Sequence, residues 1–177
     1  MSTYVALLRG MNLGGRRLAN EDLCAAFQAL GMGEPRAFLA SGNVVFEHDG
    51  ARTATARALT RGLERELGYP VPTFLRTAAQ IRALAARRPF DEYEGVEAFG
   101  KPQVVFLHRA PDAAAIDAAL AQETDDDWLI LEGDELHWLP RHGVGRSELD
   151  FRALERALGD TTVRTHNTVA RLAAKFL

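Results

Sequence analysis

The sequence predicts an α+β protein of two similar halves, and three observations carry that reading. The order strand, helix, strand, strand, helix, strand can be traced twice along the 177 residues. Several strands are apolar on both faces, which a four-stranded layer with one side open to water would not show. The composition, 47% hydrophobic and 25% charged, is that of a folded globular chain and excludes a disordered one. A single domain of this length buries roughly 70% of its unfolded surface, so its stability requires neither disulfide nor metal. Cys24 is the only cysteine, which rules out an internal disulfide framework and a cysteine metal cluster.

Thr3–Arg9 reads as a buried strand ended by Gly10. Beyond a glycine-rich loop, Asn20 reads as the cap of a helix whose first turn holds Glu21 and Asp22, acids suited to the positive helix end. Leu23, Phe27 and Leu30 form its buried face, and Gly31 stops it. Arg36–Ala40 and Asn43–Glu47 are two strands joined tightly by Ser41-Gly42. A helix over Thr53–Leu67 places Leu59, Leu63 and Leu67 on one face, and Val71–Arg76 is the fourth strand. This β-α-β-β-α-β order is the split βαβ pattern of ferredoxin-like folds.

Thr77–Arg88 reads as a connecting helix stopped by Pro89, and residues 89–102 as an acidic, proline-bracketed linker. Gln103–His108 is again a strand, and Pro111 suits the first position of a helix using Ile116 and Leu120. Trp128–Glu132 and Glu135–Leu139 form a hairpin around Gly133-Asp134. Ser147 reads as the cap of a helix holding Phe151, Leu154 and Leu158 inside. Thr161–Arg164 is a short strand, and Asn167 caps the last helix. The expected architecture is therefore two ferredoxin-like β-α-β-β-α-β repeats packed into one compact unit. The first spans 1–76, the connecting helix and linker 77–102, and the second 103–177. The duplication rests on element order and not on visible residue identity. The free sheet faces are expected to be covered, most simply by the other repeat.

The net charge of −3 argues against a generally basic nucleic-acid binder, but the charge is lopsided. Residues 1–90 hold 12 basic and 7 acidic side chains, or +5; residues 91–177 hold 9 and 17, or −8. An RNA-recognition sheet is disfavoured, because it needs exposed aromatics on its two central strands, where in the first half only Tyr4 and Phe46 stand. The chain opens without a basic start followed by a long apolar run, and no stretch of about 18 apolar residues occurs. A cytoplasmic address and no membrane partner are the expectations.

Three segments carry donors suited to an anion. In the first, Arg9 to Arg17, Gly14 and Gly15 can turn backbone N–H groups toward one point, while Arg9 and Asn12 add side-chain donors. Its glycine spacing matches neither a Walker loop nor a dinucleotide fingerprint. The plain alternative is an irregular turn with solvated arginines. The second is the hairpin tip Ser41-Gly42-Asn43. In a β-α-β-β-α-β unit it lies at the same edge as the end of the first strand, so the two segments should converge. The third, Arg141 to Ser147, feeds a helix start near Arg164 and Asn167. These three residues (Ser147, Arg164, Asn167) would close the same cleft if the repeats face each other.

Other chemistries find little support. His48, His108, His137, His142 and His166 lack metal-ligand spacing, so no metal is expected, and nothing implies a cofactor. Asp125-Asp126-Asp127 reads as a solvated turn. Ser147, His142 and Asp150 lack the strained elbow of a nucleophilic serine. Cys24 reads as a small core residue.

The string Tyr4 to Gly15 (YVALLRGMNLGG), followed by Leu39 to Phe46 (LASGNVVF), resembles the bacterial family of unknown function numbered 1697 among the domains of unknown function. Pro89-Phe90, Gly143 to Ser147 and the Arg164 to Leu172 ending also fit. The resemblance implies a bacterial cytoplasmic protein of two ferredoxin-like halves and brings no established activity. The family usually has Asn then Trp where Thr165 and His166 stand, so a ligand touching that pair would be held differently here. The expected function is binding of a phosphate- or carboxylate-bearing small molecule or nucleotide. A nucleic-acid-associated module and an enzyme on phosphorylated metabolites are the alternatives, without an assigned catalytic residue.

Overall fold

The computed structural model describes residues 1–11, 18–40 and 42–177. The candidate residues Asn12, Gly14, Gly15 and Ser41 therefore lie outside the described residues. The chain divides into two units, residues 1–83 with 172–177, and residues 84–171.

The first sheet is made of β1 (Ser2–Leu8), β2 (Gly33–Phe38), β3 (Asn43–His48) and β4 (Thr73–Thr77) in the order β2-β3-β1-β4. All of its neighbouring strands are antiparallel, as the ferredoxin-like reading requires. Helices α1 (Asn20–Ala29) and α2 (Arg52–Leu67) supply Leu23, Phe27, Leu59 and Leu63 to a core with Tyr4, Ala6, Leu8 and Phe46. Alternate residues of β1 go to opposite faces, yet Val5 and Leu7 are as buried as Tyr4 and Ala6. Both faces of the central strand are thus out of water. Phe46 stacks 5.9 Å from Tyr4 and 5.5 Å from Phe27, so these aromatics are core residues.

The second sheet repeats the plan with β5 (Gln103–Leu107), β6 (Asp127–Glu132), β7 (Glu135–Pro140) and β8 (Thr161–Thr165), ordered β6-β7-β5-β8. Between its strands stand α4 (Ala113–Leu120) and α5 (Phe151–Leu158); α3 (Ala78–Ala86) follows β4 and α6 (His166–Phe176) follows β8. Among the described residues, no helix is long and apolar enough to cross a membrane.

The strand registers reveal a residue identity that element order alone conceals. Val5 faces Arg76 across β1 and β4, and Val104 faces Arg164 across β5 and β8. Leu8 faces Thr73 as Leu107 faces Thr161, and Thr77 and Thr165 close the two strands. Thr73–Thr77 (TFLRT) and Thr161–Thr165 (TTVRT) therefore share Thr, Arg and Thr at the same three positions. The chemistry is shared too. The Arg76 Nη1 donates to the Leu75 carbonyl at 2.9 Å, and the Arg164 Nη1 to the Val163 carbonyl at 2.8 Å. Both arginines are buried.

Four expected helix starts are corrected. Asn20 is the first residue of α1, and no side chain caps that helix, because the extended residue before it is Ala19. At α4 the cap is Asp112, which accepts from the Ala115 N–H at 2.9 Å, rather than a start at Pro111. Asp150, not Ser147, caps α5 by accepting from the Ala153 N–H at 2.9 Å. At α6, Asn167 lies inside the first turn, and Thr165 Oγ1 accepts from the Thr168 N–H at 3.1 Å. Thr77 does the same for α3, accepting from the Gln80 N–H at 3.2 Å while Gln80 Oε1 accepts from the Thr77 N–H at 2.9 Å. This is a reciprocal capping box. Strand β2 also begins earlier than expected, at Gly33, and ends at Phe38 because Leu39 takes a left-handed φ of 58°. Cys24 is half-buried rather than a core residue.

The paired caps make a symmetric prediction. Thr77→Ala and Thr165→Ala each lower stability by about 1 kcal/mol, read as a shift of the urea midpoint, whereas Thr→Ser at either position costs far less. A loss confined to one of the two would break the equivalence of the strands.

Candidate functional site

The first-repeat corner is positioned by antiparallel pairing. Since β1 runs opposite to β3, its end meets the start of β3, with Leu7 facing Asn43. Beyond the strand the Leu8 N–H still bonds the Gly42 carbonyl at 2.8 Å, and the Arg9 N–H bonds the Pro72 carbonyl at 3.0 Å. Arg9 is half-buried beside that turn. The expected convergence of Arg9 with the hairpin tip is thus built into the backbone. Gly42 sits at φ 71°, where a Cβ would stand 2.8 Å from Met11 Cγ and 3.0 Å from Leu8 Cβ. Asn43 is fully buried and its Nδ2 donates to the Phe38 carbonyl at 3.0 Å, which closes the hairpin from inside.

The second-repeat residues do not share one place. Ser147 Oγ donates to Asp127 Oδ1 at 2.6 Å and lines an acid-rich cavity of about 430 Å³ with Asp125, Asp126 and Glu148. Asn167 is exposed and lines a different cavity, of about 490 Å³, beside Thr165 and His166. Arg164 lies in β8 and donates to Thr162 Oγ1 and the Val163 carbonyl, both at 2.8 Å. Burial pushes its guanidinium down to about 10, still cationic at neutral pH. Arg9, Gly42 and Asn43 belong to the unit 1–83, and Ser147, Arg164 and Asn167 to the unit 84–171.

Two groups that carry much of the local chemistry were not singled out by the sequence. Asp127, expected in a solvated turn, is buried as the first residue of β6. Its Oδ1 accepts from Trp138 Nε1 at 2.7 Å as well as from Ser147, so one carboxylate ties β6, β7 and the loop before α5 together. The available signal was its place directly before the apolar run Trp128–Leu131. His137 is the second, buried in β7 with Glu132 Oε2 at 3.7 Å from its Nε2. Arg87 grips that carboxylate through Nε at 2.9 Å and through Nη2. Desolvation is the largest effect on His137 and holds its pKa below the ordinary 6.5; Glu132 opposes it, while Arg87 and His166 reinforce it. Arg87 in turn holds the Glu132 carboxyl below the usual carboxylate range.

Two predictions follow from these geometries. Gly42→Ala combines a left-handed φ with overlap against Met11 and Leu8, and lowers stability by at least about 1 kcal/mol, read by thermal melting. For His137, the unfolded chain takes up a proton near 6.5 while the folded chain still refuses it. Its contribution is complete above that value and declines as pH falls through the window below it. Urea midpoints between pH 7.5 and 5.5 should therefore fall more steeply for the native protein than for His137→Asn. Equal slopes would remove His137 from the account.

The solved structure of a conserved bacterial protein from Streptococcus pneumoniae is similar over 99% of both chains, with a TM-score of 0.76 at 16% sequence identity. At that identity the likeness concerns the fold alone. A search of the curated proteins finds no match. A family model described as a protein of unknown function, DUF1697, matches residues 1–137 and stops short of the Thr165-His166 pair. With a match over most of its length, the chain belongs to the DUF1697 family of proteins of unknown function.

Proposed function

We propose that the protein binds a small anionic molecule, phosphate- or carboxylate-bearing, at the corner where Arg9 meets the Gly42 turn. One observation carries this reading. The two repeats make the same strand-to-helix connection with very different lengths of chain. Between β5 and α4 stand five residues, His108–Asp112, whereas between β1 and α1 stand eleven, Arg9–Ala19. The fold needs only the shorter, so the longer one is free to serve a ligand. It contains Arg9, Asn12, Gly14, Gly15, Arg16 and Arg17 and no acid. Such a segment offers backbone and guanidinium donors to an anion. In this reading Arg9 supplies charge, Gly14 and Gly15 backbone N–H groups, and Asn12 and Ser41 orienting hydrogen bonds. Gly42 and Asn43 shape the turn. The reading assigns binding and no reaction.

The excess of basic residues in 1–90 favours a second reading, contact with a nucleic-acid phosphate backbone. Burial of Tyr4 and Phe46 weighs against it, since neither can stack on a base.

A thermal-shift screen with nucleotides and phosphorylated metabolites tests both. A bound anion at a hundred times its Kd stabilises by about 2.7 kcal/mol, and Arg9→Ala should weaken that binding at least about tenfold. A stabilising ligand indifferent to Arg9→Ala moves the site elsewhere. Steeply salt-dependent binding of DNA or RNA, with no small-molecule shift, selects the second reading.

A further inference from the structure

We propose a second binding site, distinct from the Arg9 corner: the cavity of about 490 Å³ in the unit 84–171 takes an organic anion with an apolar body and one anionic head. A volume of a few hundred cubic ångströms is that of small-molecule sites in general. The floor is apolar, with buried Phe90 and Leu139 together with Val96 and Ala170. Cations stand around it from two separate stretches of chain: Arg87 and Arg88 after α3, and Lys101 before β5.

These cations are not equivalent. Arg87 is already held by Glu132. Arg88 Nη1 carries two hydrogens and donates them to the carbonyls of Ala85 and Arg87, each at 2.9 Å. His166 Nε2 lies 3.0 Å from that nitrogen and 3.0 Å from the Leu84 carbonyl. With both Nη1 hydrogens engaged, the contact consistent with this arrangement has the ring N–H donating to Leu84. The guanidinium of Arg88 is therefore fixed by one end, and its Nε and Nη2 are left without a partner among the described residues. Lys101 likewise has no carboxylate partner among them. Asp91 is the one acid on the lining, so Arg88 and Lys101 leave a positive excess over an apolar floor. Asn167 adds an amide at the same rim.

A bare inorganic anion would satisfy the rim and leave the half-buried Val96 and Ala170 in contact with water. A purely apolar molecule would satisfy the floor and gain nothing from the cations. An amphiphilic anion meets both, and a pre-fixed guanidinium lowers the ordering cost of binding its head.

The test uses two dyes of similar shape on the whole chain at low salt: 1-anilinonaphthalene-8-sulfonate, which is anionic, and N-phenyl-1-naphthylamine, which is neutral. The expected result is one sulfonate dye per chain, weakened at least about tenfold by Lys101→Glu, with the neutral dye changed less than about twofold. Octanoate should displace the sulfonate dye at concentrations where inorganic phosphate does not. Ala170→Trp fills the cavity and should abolish both dyes, with circular dichroism confirming the fold. If that variant does not fold, the Lys101→Glu comparison decides alone. Failure of the sulfonate dye to bind, binding indifferent to Lys101→Glu, or equal displacement by phosphate overturns the proposal.

Discussion

Everything in each unit hangs on a central strand paired on both sides. In the first, β1 lies between β3 and β4; in the second, β5 lies between β7 and β8. Because the neighbours are antiparallel, the residue that faces a given position is fixed, and so is the edge at which each loop emerges. A one-residue slip in β1 would exchange Tyr4, Ala6 and Leu8 with Val5 and Leu7 and empty the core shared with Phe27 and Leu63. The bond from Leu8 to Gly42 is the last rung of that ladder, and it is also what holds Arg9 against the hairpin. The candidate site and the core thus share one constraint.

The duplication supplies a built-in comparison. Elements that the fold requires are alike in both units: the strand order, the buried Arg76 and Arg164, and the threonine caps of α3 and α6. Features that it does not require differ. The first unit lengthens the connection after its first strand, and the second lengthens the one after β7, ten residues from Arg141 to Asp150 against three from Asp49 to Ala51. The second lengthened loop is anchored to the protein's own Asp127 through Ser147. The segment between α3 and β5 is likewise ordered by contact rather than being a bare linker. Tyr93 and Phe99 pack against Trp128 at 5.4 and 3.9 Å, and Arg141 lies 4.4 Å over the Phe99 ring.

Much of the fold was legible because it follows from local rules. Short apolar runs such as Val5–Leu8, helix stripes such as Leu59 with Leu63, and glycine stops mark elements without knowledge of their partners. Topology then placed Arg9 beside the hairpin tip. The helix starts were less legible, since Asn20, Ser147 and Asn167 are all good capping residues by type. The chain used Thr77, Asp112, Asp150 and Thr165 instead, because a cap is set by where the preceding strand or turn releases the backbone. The role of Asp127 is hidden in the sequence for a related reason. A carboxylate in an acidic run reads as solvated until a tryptophan from the next strand and a serine twenty residues on are found to donate to it.

By itself, the sequence determined the α+β class, the double β-α-β-β-α-β order, the family likeness and the anion-suited chemistry of residues 9–17. Those are properties of residue type and spacing along the chain. Only the tertiary structure decided which polar groups are inside: Arg164 and Asn43 as buried supports, Asp127 as a tie between strands, and His137 held neutral by burial. It also separated Ser147 from Asn167 and set Arg88 and Lys101 around an apolar cavity. The physical reason is that burial and partnership arise from residues far apart in the chain, and composition and spacing carry no record of them.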